Sequence, residues 1–448
     1  MGAASTTAIT GLPAWGRRYT VFVILALVNL AVWLDEGVFG ALTPYWSKAL
    51  HLTPTQIGTG SAAYLLGYFP LLLLAGVLSD RFGAKRMLLI CVAGTALMSA
   101  GMLLVNSYGA LFARNILFGI FFGFLWAPSN RMMAIWLPPP ERARYTSIWM
   151  STTLFSFVIA VPLALLIASA FTWQGAFLVV TVLNIPLFFA LLLFTTERPE
   201  QSTTISRSEL DHIYEGRVPE ADVQASEFHW RDLRAALAQR SVLFMIIATG
   251  LTTTPTWLIT VWGTYGLLNG FKVSTGQTSL IVDIGIMIPV IYGFFNGWVV
   301  NSVFRGRTRP ALAIGPILSG IGFLLAAITG SSSYIAWALL IYALGFITDP
   351  FFWGTVNAYW AGVAKPEYTG TLNGISAALQ VAVGYALISV SGTWVDTHVH
   401  GVAALNKIWI IGGIIFLLSA IPVYLAKEIT LRRAQKDEGG PTILAVTP

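Results

Sequence analysis

The 448-residue chain is poor in charge, cysteine and histidine. Charged residues make up 10% of it, against roughly 25% in an ordinary soluble domain. One cysteine, Cys91, excludes an internal disulfide framework and any cysteine-based metal site. Five scattered histidines offer no ligand spacing of the HExxH kind, and no Walker A sequence is present. These absences argue against metal-dependent hydrolysis, ATP-driven transport within this chain, and an intramembrane enzyme; the reading is of a non-enzyme without cofactor. What fills the chain is apolar: 56% hydrophobic residues and a mean hydropathy of +0.72. A soluble core does not stay this apolar at this length, because longer chains divide into domains with polar surfaces. A polytopic membrane protein accounts for both numbers.

A membrane-crossing helix needs about 20 predominantly apolar residues. About twelve such stretches are expected, centred at 20–42, 57–78, 87–105, 109–136, 146–169, 175–195, 241–267, 277–300, 311–329, 334–360, 371–392 and 407–426. The fold class is therefore all-α, embedded in a lipid bilayer. Pro162, Pro186, Pro255 and Pro289 fall inside these stretches, which membrane bundles tolerate. The N-terminus precedes a full-length apolar segment and does not read as a cleavable signal; Gly2 and Thr6 fit the loose N-myristoylation pattern.

The net charge of +6 resembles a nucleic-acid signal until its members are located. Counting from an inside N-terminus, Arg17, Arg18, Arg81, Lys85, Arg86, Arg131, Arg305, Arg307, Arg309 and Lys427 fall on inner segments, whereas outer segments hold Lys48, Lys272 and Lys407. The bias predicts cytoplasmic termini for a multi-pass protein; the membrane expected is a bacterial inner membrane. It assigns the basic residues to topology, not to nucleic acid. The polar stretch 196–240 separates six spans from six. It predicts an N-terminal half over 1–195, a partly helical cytoplasmic linker over 196–240 and a C-terminal half over 241–448. A repeat supports the division: "GVLSDRFGAKRMLL" (76–89) after the second span is echoed by "GWVVNSVFRGRTRPAL" (297–312) after the eighth.

Gly76, Asp80, Arg81, Gly83 and Arg86 together resemble the signature loop of the major facilitator superfamily. The resemblance implies twelve helices in two six-helix halves and secondary transport by alternating access. Gly76 and Gly83 would allow close helix approach and a tight turn. Asp80 would accept from the N–H groups of a helix start and pair with an arginine across the half interface. More of the chain is similar to the anion:cation symporters, which carry hexuronates, galactonate, phthalate and phosphate-type anions: "NRMMAIWLPPPERARYTSI" (130–148), "FTWQGAF" (171–177), "SELDHI" (208–213) and "WRDLRAALAQRSV" (230–242). That branch usually shows Asp-Arg in helix 1, where this chain has Asp35-Glu36. Where the branch often carries a glutamate in helix 4, this chain has Phe122.

Inside the expected spans stand Asp35, Glu36, Arg114, Asp283 and Asp349. Each would cost about 2.5–3.5 kcal/mol at the bilayer centre, so each is expected to find a partner or a watery cavity. Neighbouring helical residues point about 100° apart. Asn29, Trp33, Glu36 and Gly40 then form one stripe, expected to be a cavity wall, while Asp35 turns into its own half toward Arg114. Desolvation penalises a charged carboxylate, so Glu36, Asp283 and Asp349 are candidate proton-loading groups, with sodium as the other coupling ion. Tyr64, Tyr68, Trp126, Trp257, Trp262, Asn296, Asn357, Asn373 and Gln380 are weaker cavity candidates, and Gly293–Gly297 reads as a close-packing GxxxG.

The expected activity is proton-coupled uptake of a small organic anion or zwitterion by a monomer. A cationic or neutral solute bound at Glu36, a proton-driven exporter, and a sensor of transporter-like fold are the alternatives. The absence of a glycine-rich motif from "SFVIAVPLAL" (156–165) speaks against drug export, and the short tail after 431 against the sensor.

Overall fold

The computed structural model describes residues 16–214, 237–329, 332–363 and 366–429. Gly2 and Thr6 lie outside them, as do most of the polar linker, Lys365, and the side chains of Asn357 and Asn373. The chain is helical, with helices long and apolar enough for 11 or 12 crossings. In chain order they are α1 (Arg17–Ala41), α2 (Pro54–Phe82), α3 (Ala84–Leu104), α4 (Tyr108–Trp136), α5 (Pro139–Ala170) and α6 (Trp173–Phe194). After the linker come α7 (Arg240–Gly270), α8 (Thr275–Ser302) and α9 (Thr308–Thr329). The span α10 starts at Tyr334 and ends with the helix Thr348–Val363; α11 (Pro366–Ser391) and α12 (Gly401–Leu425) complete the set. A short helix, Arg207–Tyr214, lies in the linker.

Apolar side chains are exposed in helical stripes, such as Leu178, Val182, Ile185, Phe189 and Leu193 on α6. Water would not tolerate such stripes over so many helices, whereas lipid does. The crossings bring both ends of the described chain and the linker to one face, the linker end; the opposite face is the distal end.

The two ends start their helices differently. At the distal end α2, α4, α6, α8 and α10 are capped by their own hydroxyls, from Thr53, Ser107, Thr172, Ser274 and Ser333. A short side chain accepting an otherwise unpaired N–H stabilises such a start by about 1 kcal/mol. At the linker end three starts are capped by glutamates from far along the chain. Glu209 accepts from the N–H groups of Arg17 and Arg18 at 3.0 and 2.9 Å. Glu197 accepts from Ala84 and Lys85 at 2.6 and 2.9 Å. Glu428 accepts from Thr308 and Arg309 at 2.7 and 3.1 Å. Glu197 follows α6 and caps α3; Glu428 follows α12 and caps α9. The repeat seen faintly in sequence is thus repeated in geometry, and Gly83 and Gly306 both turn with positive φ, +94° and +78°.

Several spans are not single α-helices. α2 bends by 54° after Pro70, whose ring removes an internal hydrogen bond. α4 is interrupted at 123–125 and α7 at 253–255. α10 passes through a π turn at Leu339–Leu344 and a 3₁₀ turn at Gly345–Ile347. Ser319 of α9 repairs that last distortion by donating to Leu344 O at 2.7 Å.

The halves meet through α2 with α11 and α5 with α8. Their tightest backbone approaches lie toward the distal end. A Cβ on Gly40 would sit 2.6 Å from Thr260 O, and one on Gly58 2.6 Å from Ile388 O; one on Gly392 would collide with Pro54 O. At the linker end Gly76, Gly297 and Gly374 have open space around them. The arrangement is closed distally.

Candidate functional site

The site begins on α1, where Asp35 and Glu36 take different environments. Asp35 is 1% exposed and Arg114 6% exposed, and Arg114 Nη2 donates to Asp35 Oδ1 at 3.0 Å. Arg114 Nε donates to Met98 O at 2.8 Å and Nη1 to Asn115 Oδ1 at 2.9 Å. Phe118, Phe177 and Phe39 surround the guanidinium at 4.8, 5.8 and 6.0 Å. Every nitrogen of Arg114 is therefore engaged inside the first half, where it ties α1, α3 and α4 together. Asp35 Oδ2 has no partner among the described residues.

Glu36 is half-buried and turned away from that pair. The Tyr64 hydroxyl interacts with its carboxylate; the charged groups acting on it are Asp35 and Arg114, the latter already spent on Asp35. One turn back, the Trp33 ring packs edge-on to Phe122 at 5.0 Å and near Phe157 at 6.1 Å. Its indole N–H is buried and has no partner among the described residues. Tyr64 and Tyr68 also pack on Phe122, at 6.3 and 5.1 Å. Phe122 is thus the centre of an aromatic wall beside Glu36.

Asn29 corrects the expected stripe. It is fully buried, and its Nδ2 donates to Trp149 O, Thr152 Oγ1 and Thr153 Oγ1 at 3.1, 2.8 and 3.0 Å. It fastens α1 to α5 instead of lining a cavity. The helical register is right, but the stripe leaves the cavity as α5 crosses it.

Beyond Glu36, toward the distal end, a small cavity with room for about one water molecule lies between the halves. Gly37, Gly40 and Phe157 line it from the first half, and Thr260, Thr264 and Tyr342 from the second. The hydroxyls of Thr264 and Tyr342 share a hydrogen bond of 3.2 Å. Composition gave no sign of these three residues; their signal was the tertiary meeting of α7 and α10.

Asp283 and Asp349 are half-buried, and neither acts on Glu36. Asp283 Oδ1 has no partner among the described residues and stands one turn from Ile286, which lines the cavity. Asp349 lies in the first turn of the helix Thr348–Val363. The structure does not gather the membrane carboxylates into one cluster. Of the weaker candidates, Trp262 donates to Ser391 at 2.8 Å, Gln380 to Thr253 at 2.5 Å, and Asn296 accepts from Tyr292 at 3.2 Å. These are packing contacts.

The signature loop departs from expectation in its partners. Asp80 pairs with Arg131 of α4, in its own half, instead of crossing the interface. It does not cap α3 either, because Glu197 occupies that position. Asp80 remains 70% exposed, Arg81 lies over the Phe82 ring at 5.4 Å, and Arg86 is exposed. Sequence reasoning also missed a cluster at the linker end: Arg18 reaches Glu141 at 3.3 Å and Glu209 at 3.5 Å, and His212 meets Glu141 at 3.3 Å. Extending the repeat past the sixth and twelfth spans would have found Glu197 and Glu428.

Two halves joined by a linker, a signature loop after α2 and a site between the halves define a class. The chain belongs to the Major Facilitator Superfamily, whose profile matches residues 25–389. It is a membrane transporter, not an enzyme, and its partners are a lipid bilayer and a small-molecule substrate. It is 25% identical over 395 residues to a hexuronate transporter of Bacillus subtilis (strain 168), covering 85% of this chain and 88% of that one. It is 23% identical over 435 residues to a probable galactarate/D-glucarate transporter of Escherichia coli (strain K12), covering 89% and 94%. A putative tartrate transporter of Agrobacterium vitis is 21% identical over 435 residues, covering 95% and 96%. These relatives match the anion:cation symporter branch. Among solved structures, a bacterial homologue of the human lysosomal transporter Spinster, inward-facing and unoccupied, superposes with a TM-score of 0.71 at 14% identity, over 92% of this chain and 98% of that one. The E. coli xylose transporter XylE, partially occluded and inward-open, gives 0.70 at 16%, over 92% and 98%. At such identity these two speak for the fold alone.

Proposed function

We propose that the protein is a proton-coupled symporter that takes up a small organic acid by alternating access, with Glu36 as the proton-loading group. The observation that carries this reading is the division of labour on α1. Arg114 is consumed by Asp35, so the carboxylate nearest the cavity has no basic partner free to neutralise it among the described residues. A charged Glu36 repels an anionic solute, and a protonated Glu36 admits one. The proton and the acid anion then travel together as a matter of electrostatics. The N–H of Trp33, without a partner among the described residues, and the hydroxyl of Tyr64 are neutral donors beside that position. The named activities of the relatives supply the solute class. The linker end is the cytoplasmic end, by its excess of lysine and arginine, and the membrane is a bacterial inner membrane. The transporting unit is a monomer, with the site complete within one chain.

The test uses purified protein in liposomes with D-galacturonate, D-glucarate and tartrate. An inward proton gradient is expected to drive accumulation by the wild type. Glu36→Gln is expected to retain exchange of solute across the membrane and to lose the response to the gradient. Gradient-driven accumulation by Glu36→Gln at the wild-type rate would remove Glu36 from the coupling step.

A further inference from the structure

Asp283 is a membrane carboxylate that the coupling step leaves unused. It lies on α8, eight residues past the distal start at Thr275, or about 12 Å along the helix. Asp283, Ile286 and Val290 follow at i, i+3 and i+7 and so share one stripe. Ile286 and Val290 are buried, and Ile286 meets Phe157 and Val161 of α5 across the small cavity. The stripe therefore runs along the seam between α5 and α8, one of the two by which the halves touch.

Nothing in that seam answers the charge of a carboxylate. Asp283 Oδ1 is sealed from solvent without a partner, and no charged group among the described residues acts on it. The titratable residues of α5 stand at its linker end, from Glu141 to Tyr145. Past Val161, α5 offers one hydroxyl, Ser169, which already donates to Leu166 O at 2.9 Å. On α10, Tyr334 lies at the distal start, Tyr342 is bonded to Thr264, and Asp349 and Tyr359 belong to the helix nearer the linker end. On α8 itself, Tyr292 is nine residues on and donates to Asn296. The segment Gly266–Gly270, which also touches α8, holds no titratable group. The other flank of Asp283 borders Leu280 and Ile284, exposed apolar side chains that face lipid.

Apolar surfaces accept a carboxyl group as the neutral acid far more readily than as the anion. When the distal end opens, the halves part along this seam and water reaches the group, where both forms are tolerated. We infer that Asp283 is the latch of the distal gate: it takes a proton from the distal side before the α5–α8 seam closes over it, and returns that proton to the same side when the seam opens. The inference rests on alternating access and not on the role given to Glu36. The two carboxylates then differ in kind. The proton on Glu36 follows the solute across the membrane, whereas the proton on Asp283 follows the gate and never crosses. Asp283 adds nothing to the transport stoichiometry. It makes distal closure easier as the distal side acidifies and harder as it turns alkaline.

The test separates gate from coupling by working in Glu36→Gln. Spin labels on cysteines at Asn106 and Thr397, exposed distal positions of the two halves, report the opening in a Cys91→Ala background without solute. Pulsed-EPR distances in the purified full chain are expected to shift toward a longer, open form between about pH 5.5 and about pH 7.5, because each pH unit above the pKa of a hydrated carboxylate makes its neutral form about tenfold rarer. Asp283→Asn, neutral at every pH, is expected to keep the short form throughout, and Asp283→Glu to keep the shift. In liposomes at equal pH on both sides, exchange of D-galacturonate by Glu36→Gln is expected to slow about fivefold or more over that range, and to lose this slowing when Asp283→Asn is added. A distance that does not move with pH in Glu36→Gln, or one that moves equally after Asp283→Asn, would overturn the latch. Gradient-driven uptake by the wild type is read separately. A pH-dependent gate without gradient response would remove the coupling and leave the latch, and gradient-driven uptake through a gate indifferent to pH would do the reverse.

Discussion

At the scale of single residues, the adjacent carboxylates of "WLDEG" are explained by the angle between them. About 100° of helix rotation sends Asp35 into the bundle and Glu36 toward the aromatic wall. A buried ion pair broken on one side leaves an uncompensated charge, at a cost of about 3–5 kcal/mol. Arg114→Ala is therefore expected to lower the thermal midpoint sharply, whatever the solute. Replacing both members, Asp35→Leu with Arg114→Leu, should recover much of that loss, since no charge is then stranded. Midpoints of the purified single and double variants in detergent decide it: a double variant as unstable as the single ones would mean the pair does more than cancel charge. Asn29→Ala is expected to destabilise as well, by removing the donor that joins α1 to α5. A cavity-wall role would instead have left stability unchanged and altered transport.

At the scale of elements, the twin glutamate caps and the distal glycines carry the argument. Glu197→Ala and Glu428→Ala each strip two backbone N–H groups at a helix start of a charged acceptor. Each is expected to cost about 1–2 kcal/mol, read as a lowered unfolding midpoint. The two losses should add, since α3 and α9 share no contact through these caps. The distal glycines make a different prediction. A side chain at position 58 would occupy the space of the Ile388 carbonyl. Gly58→Val should thus hold the distal end apart and favour the opposite state without unfolding either half. A single cysteine placed at Pro54 in a Cys91→Ala background reports this by its reactivity with a membrane-impermeant maleimide. Low reactivity in both Gly58→Val and its parent would show that another contact closes that end. Cys91 is fully buried, so its removal leaves a quiet background at the cost of one small apolar side chain.

At the scale of the whole molecule, the sequence determined most of the architecture. Twelve apolar stretches, the polar interval after residue 195 and the loop from Gly76 to Arg86 sufficed, because lipid forces every backbone polar group into a helix and leaves few ways to arrange twelve of them. Residues that act along one helix were legible too: Asp35 and Glu36 diverge as the helical angle requires, and Trp33 lies one turn from Glu36. What the sequence did not determine is which surfaces meet. Asn29 sits on the stripe of Glu36, yet is buried, because α5 crosses α1 at that level. Asp80 has the composition of a helix cap, yet Glu197 holds that position from more than a hundred residues away. Thr264 and Tyr342 are unremarkable in their own helices and become a hydroxyl pair where α7 and α10 converge. Helical periodicity is local and is written into neighbouring residues; the crossing of helices depends on side-chain shape summed over the bundle, and that sum is decided only when the chain has packed.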